Sequence, residues 1–253
     1  MRNLAFIILA LIASAAANAQ KLPNTQSGSK LLPENTKIDG KLSEWQDAVQ
    51  AYNKATRIEY TLADNAEQLY LAIRSNDVAS TAKILAGGLT LNIDIPGIKQ
   101  ANAPSITVPV TNSGYALTPS GAVKGNFSVL TDSLKITAAI KEFKFIKALN
   151  FKGIQDTLLS IYNEQGIQSK MTYDNGTFVC EILMPKHFIG LTDLAKPFAY
   201  QIKLNGVPTR HIAGGPPPPP LTAPPNWLPS DPRHISKEVE APTDFRGEYT
   251  LAK

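Results

Sequence analysis

The sequence predicts an all-β chain: an antiparallel two-sheet β-sandwich, jelly-roll or immunoglobulin-like in layout, with one or two short helices and a long Pro-rich loop. Three observations predict it. Apolar residues recur with period two through most of the chain, the stretches between them are rich in Gly, Pro, Asn and Asp, and helical periodicity is scarce. A period of two puts one set of side chains on a buried face and the other in water. Many such strands separated by turn residues are the pattern of an antiparallel sandwich.

The chain has 253 residues. Residues 1–19 read as a signal peptide. Arg2 supplies a positive start, residues 4–13 are apolar, and Ala17-Asn18-Ala19 offers the small residues a signal peptidase needs. The apolar run is too short to span a bilayer. The expected location is therefore exported, either periplasmic or extracellular, with no membrane span. Residues 20–36 form a polar N-terminal arm, either a leader strand or a loosely held segment. Residues 37–253 form one sandwich domain, long enough to bury a substantial core. Cys180 is the single cysteine, so no internal disulfide exists and packing alone must hold the fold.

The strands follow in order. Ile58, Tyr60 and Leu62 alternate with polar neighbours, and Leu69, Leu71 and Ile73 repeat the pattern after a short hairpin loop at residues 64–68. Leu89, Leu91, Ile93 and Ile95 alternate with Thr90, Asn92 and Asp94. Ile106, Val108 and Val110 come next, then Leu134, Ile136, Ala138 and Ile140, then Phe198, Tyr200, Ile202 and Leu204. Residues 245–251 close the sheet. Asn175-Gly176 joins residues 170–173 to 177–180 through a type I′ turn, because Asn-Gly accepts two positive φ angles. Residues 80–86 predict a short helix capped by Ser80. Residues 185–189, opened by Pro185 and stopped by Gly190, predict one or two helical turns.

Residues 206–234 break the pattern. They hold ten of the nineteen prolines, including all of residues 216–220. Proline cannot donate to a sheet ladder, and consecutive prolines favour an extended polyproline II form. This loop is inserted before the last strand.

Two phrases resemble the opening of the family 9-like carbohydrate-binding domains, a branch of the DOMON-like β-sandwiches. The first is Ile38-Asp39-Gly40 with Glu44-Trp45; the second is the hairpin ending Leu69-Tyr70-Leu71-Ala72-Ile73. Cys180-Glu181-Ile182-Leu183-Met184-Pro185 is similar to a later strand of that family, and Asp244-Phe245-Arg246-Gly247-Glu248-Tyr249 to its closing strand. The resemblance spans the mature chain in order. It implies a sandwich that binds sugars, often between two aromatic side chains, with calcium sites stabilising loops.

The expected function is a non-catalytic, exported carbohydrate-binding module for a poly- or oligosaccharide. Trp227 is the candidate stacking platform, with Arg210, His211 and Arg233 as hydroxyl partners and Tyr115 as a second platform. A Trp face packs against sugar C–H groups while polar neighbours meet the hydroxyls. The competing reading of Trp227 is a pin that holds the loop to the sandwich. Trp45, by contrast, reads as structural, with Asp39 and Gly40 forming a turn. One alternative is a periplasmic or surface interaction module that offers the prolines as a rigid arm to a protein partner. A further alternative is a haem-binding DOMON-type domain, for which Met171, Met184, His187, His211 and His234 are the available ligands.

Other classes find little support. The formal charge of +4 is scattered among acids, which excludes a clustered nucleic-acid face. There is no Gly-x-Ser-x-Gly elbow, phosphate loop or dinucleotide fingerprint. Glu164 and Glu181 lack the flanking pattern of a glycosidase pair, so the chain is not read as an enzyme. No cofactor is expected. Calcium is the one ion that Asp64, Asn65, Glu67, Asp77 and Asp94 would suit.

Overall fold

The computed structural model describes residues 21–46, 48–110, 133–191, 196–206 and 238–252. Eleven strands form two antiparallel sheets. The five-stranded sheet runs β1 (Ala51–Asn53), β2 (Ile58–Asp64), β3 (Gln68–Ser75), β9 (Thr177–Pro185), β8 (Gln168–Asp174). The six-stranded sheet runs β11 (Thr243–Tyr249), β10 (Phe198–Leu204), β4 (Leu89–Asp94), β5 (Ser105–Val108), β6 (Phe145–Leu149), β7 (Leu158–Ser160). The two-sheet sandwich predicted from period two is thus the observed architecture. Asn175 (φ 48°) and Gly176 (φ 82°) turn β8 into β9 with the two positive φ angles of a type I′ hairpin.

The inward rows meet in one core. Tyr60 and Leu62 of β2, Leu69, Leu71 and Ile73 of β3, and Cys180 and Ile182 of β9 are fully buried. They face Leu89, Leu91 and Ile93 of β4 and Tyr200, Ile202 and Leu204 of β10, also fully buried. Each such aliphatic side chain withdrawn from water stabilises the fold by about 1.5–3 kcal/mol before conformational entropy is charged against it. The sheets are also tied by a polar contact inside this core, where the Tyr60 and Tyr200 hydroxyls lie 2.8 Å apart.

The five-stranded sheet departs from simple alternation. Tyr70 and Ala72, on the opposite face of β3 from Leu69 and Leu71, are also fully buried. With Ala63 and Leu183 they face a second apolar cluster supplied by Leu32, Leu42, Trp45 and Val49. The N-terminal segment therefore forms a third layer over this sheet. The described part of residues 20–36, read as a leader strand or a loose arm, forms no strand and meets β2 through one isolated bridge. Leu31 bridges Asp64 in parallel, Leu32 N donates to Asp64 O at 2.8 Å, and Asp64 N donates to Lys30 O at 3.0 Å.

Two local expectations need correction. Leu134, Ile136, Ala138 and Ile140 belong to a helix, α2 (Ser133–Glu142), not a strand. Ile136, Ala139 and Phe143 are buried, whereas Leu134 is 83 % exposed and Ala138 points to solvent. Ile136 and Ile140 satisfy both a period of two and the i, i+4 spacing of a helix, so periodicity alone could not choose between them. The earlier helix, α1, spans Val78–Gly87, and its cap is Asp77 rather than Ser80: the Asp77 carboxylate accepts from Ser80 N at 2.8 Å. The turn after β9 is a 3-10 helix, Lys186–Ile189, ended by Gly190 at φ 72°.

Candidate functional site

Trp227, Arg210, His211, Arg233 and Tyr115 all lie outside the described residues. What is described is where their segments attach. The Pro-rich segment leaves after Gly206, at the end of β10, and returns at Glu238. Gly206 packs so tightly between Gly87 and residues 239–240 that a Cβ added to it would lie 2.6 Å from Glu240 O. The segment holding Tyr115 leaves after Val110. Both departure points border one hollow on the outer face of the six-stranded sheet, of about 490 Å³, lined in part by Gly87, Val110 and Asn205.

The floor of this hollow follows from strand alternation. With Leu89, Leu91 and Ile93 pointing inward, Thr90 and Asn92 must point outward. Register then aligns a cross-strand row, Lys203 of β10, Thr90 of β4, Thr107 of β5 and Lys147 of β6. The two lysines are three strand spacings apart, roughly 14 Å between backbones. Thr90 and Thr107 share a hydrogen bond of 2.8 Å, and Asn205 Nδ2 donates to Thr90 Oγ1 at 2.9 Å. In the next row Asn92 Nδ2 donates to Gln201 Oε1 at 3.0 Å, and Ser105 lies beside it. Among the described residues no carboxylate lines the hollow. Asp244 extends the first row beyond Lys203 and accepts from the Gln201 amide. The floor thus presents neutral hydroxyls and amides, each able to donate and accept, between two cations.

A second polar cluster has the opposite character. Glu181, on the outer face of β9, is fully buried. Its Oε2 accepts from Asp39 N at 3.1 Å and Gly40 N at 2.6 Å, and its Oε1 accepts from the Tyr70 hydroxyl at 2.7 Å. Trp45 stacks on Tyr70 with ring centroids 5.7 Å apart, and Trp45 Nε1 donates to the same hydroxyl at 3.3 Å. Gly40 has φ 84°, and a Cβ there would meet Thr172 Cγ2 at 2.2 Å, so the position demands glycine twice over. Burial pushes the Glu181 carboxyl above its ordinary range; the Tyr70 and Gly40 hydrogen bonds pull it partly back, and the charges of Asp39 and Glu44 raise it. Both Glu181 oxygens are committed to the protein, and Trp45, buried and stacked on Tyr70, packs as a structural residue. Glu164 is exposed in the loop before β8.

The remaining sequence candidates are dispersed. Asp64 is fully buried and pairs with Lys186 Nζ at 2.6 Å, while its other oxygen accepts from the Tyr249 hydroxyl at 2.9 Å and Ala252 N at 2.8 Å. Asp77 caps α1, and Asp94 pairs with Arg246 at 3.1 Å. Among the described residues no group of three or more His, Cys, Asp or Glu side chains could hold a metal ion. Met184 is buried in the core, Met171 lies on the sandwich flank, and the His187 ring packs on Phe188 with centroids 4.0 Å apart. No helix among the described residues is long and apolar enough to cross a membrane.

Sequence reasoning missed Lys147 and Lys203 as site residues. The alternation of β10 places Lys203 outward, but β6 was not read as a strand, so the row could not be assembled. Comparison with known protein-family models and with curated proteins finds no match.

Proposed function

We propose that the chain is a non-catalytic, exported carbohydrate-binding module whose ligand lies across the outer face of the six-stranded sheet. The observation that carries this reading is the row Lys203-Thr90-Thr107-Lys147, with Asn92 and Asn205 beside it. Among the described residues it forms a polar floor without acids, at the rim of which both candidate aromatic segments attach. Sugar hydroxyls both donate and accept, and hydroxyl and amide side chains match them without a net charge to neutralise. Trp227 and Tyr115 would supply the stacking faces that the floor lacks, with Arg210, His211 and Arg233 at the hydroxyls. The lysines at either end favour an acidic glycan over a neutral one, so uronate polymers form the first arm of the test.

A further support is the meeting of the resembling phrases. Asp39 and Gly40, Trp45, Tyr70 and Glu181 are scattered over more than 140 positions and converge in one hydrogen-bonded cluster. Affinity gel electrophoresis against alginate, polygalacturonate and neutral glucans tests the reading. Retardation by at least one polymer, reduced in Trp227→Ala and in Asn92→Ala/Thr107→Ala, is expected. Absence of retardation on every polymer, or retardation that both variants leave unchanged, would sink it.

A further inference from the structure

The flank where the two sheets part holds a cleft that the described residues leave unfilled. β8 is the outer strand of one sheet, and β6 and β7 end the other on the same side. The helix α2 lies over this flank, with Thr137 Oγ1 donating to Tyr173 O at 3.5 Å. Between these elements is a cavity of about 570 Å³. Protein interiors are close-packed, with few voids larger than a water molecule, whereas small-molecule sites run to roughly 300–1,000 Å³.

The lining is apolar at its centre and cationic in its charge. Ile140, Phe143, Phe145, Met171 and Tyr173 supply the walls. Lys141, Lys144 and Lys170 also line it, all exposed, and among the described residues no acid does. Glu142, Glu164 and Asp174 are exposed and lie outside the lining, and Glu181, opposite Lys170 across the β8–β9 ladder, is buried under the N-terminal layer on the other face of the sheet. The Lys144 ammonium donates to Lys141 O at 2.6 Å, which leaves two of its three donors for a ligand. The Ser169 hydroxyl, also in the lining, is shielded from water and has no oxygen or nitrogen partner. Its polar neighbour is the buried Cys180 thiol, a weak acceptor whose pKa burial pushes up to about 12.

We infer that this cleft binds an amphipathic carboxylic acid, an aliphatic body carrying one anionic head. The body lies between α2 and β8 against Phe143, Phe145 and Met171. The head is held at the mouth of the cleft by the exposed lysines. This site is on the flank, distinct from the outer face of the six-stranded sheet, and does not depend on the sugar reading.

The test uses the full mature chain and dansyl-labelled undecanoate as fluorescent probe, displaced by dodecanoate or by dodecanol. The acid is expected to displace the probe roughly tenfold better than the alcohol, and added salt should weaken the acid alone. Ile140→Trp fills the cleft and should cut probe affinity at least tenfold without altering glycan retardation. Lys141→Gln/Lys144→Gln, at exposed positions beside the end of α2, should remove most of the preference for acid over alcohol. The inference is overturned if the probe does not bind, if acid and alcohol compete equally, or if the lysine pair variant keeps the full preference. Should Ile140→Trp fail to fold, the lysine pair decides alone.

Discussion

The outer faces of the two sheets hold polar groups under opposite conditions. On the five-stranded sheet the N-terminal layer covers the face, and Glu181, Tyr70 and Trp45 spend their hydrogen bonds on one another and on the backbone of Asp39 and Gly40. On the six-stranded sheet no described residue covers the face, and Thr90, Asn92 and Thr107 are only half-buried. The strands show the same contrast. β3 is buried on both faces over most of its length, while β4 alternates strictly between buried and half-buried. Burial turns polarity into architecture, because an unpaired group there is costly. Exposure leaves polarity available for a ligand.

Substitutions should separate the two faces by stability and by binding. The largest loss is expected at the junction of the N-terminal layer. Lys186→Met leaves the buried Asp64 carboxylate without its cation and should cost about 3–5 kcal/mol in urea unfolding. Adding Asp64→Asn should recover part of that loss, and a fully additive double variant would contradict the pairing. Trp45→Ala should cost about 3 kcal/mol through the cavity left against Tyr70, with no effect on glycan retardation.

Glu181→Gln should cost about 2 kcal/mol, since an amide cannot accept all three hydrogen bonds. It should also change the pH profile. The folded state holds the Glu181 proton more tightly than the unfolded chain, so this carboxyl makes stability fall as pH rises from its ordinary 4.5 through the raised folded value. The difference in unfolding free energy between wild type and Glu181→Gln should therefore shrink across that window. A difference that grows would contradict the burial assigned to Glu181. The smallest stability effect belongs to the open face: Thr107→Ala should stay within about 0.5 kcal/mol of wild type while weakening retardation. A large stability loss there would mean the row is structural after all.

Much of this contrast was legible in the sequence. The alternation in residues 89–95 and 198–204 marked one-sided strands, and Asn175-Gly176 marked a hairpin, because backbone chemistry at those positions is local. Leu69-Tyr70-Leu71-Ala72-Ile73 was harder. Its period-two row was read correctly for Leu69, Leu71 and Ile73, but Tyr70 and Ala72 are buried by residues from a distant segment. The strand reading of residues 134–140 failed because two residues fitted both periods. Neither reading could be settled without knowing what packs on the other side.

The sequence by itself determined that the chain forms an antiparallel sandwich, which strands are one-sided and where the sharp turns fall. These depend on interactions within a few residues. Only the tertiary structure decided that Glu181 belongs to the N-terminal layer, that Lys203 and Lys147 share a row with two threonines, and that the flank beside α2 stays open. Each of those depends on strand register or on contacts between segments far apart in the sequence. Such contacts follow from the way the whole core closes, not from any local pattern.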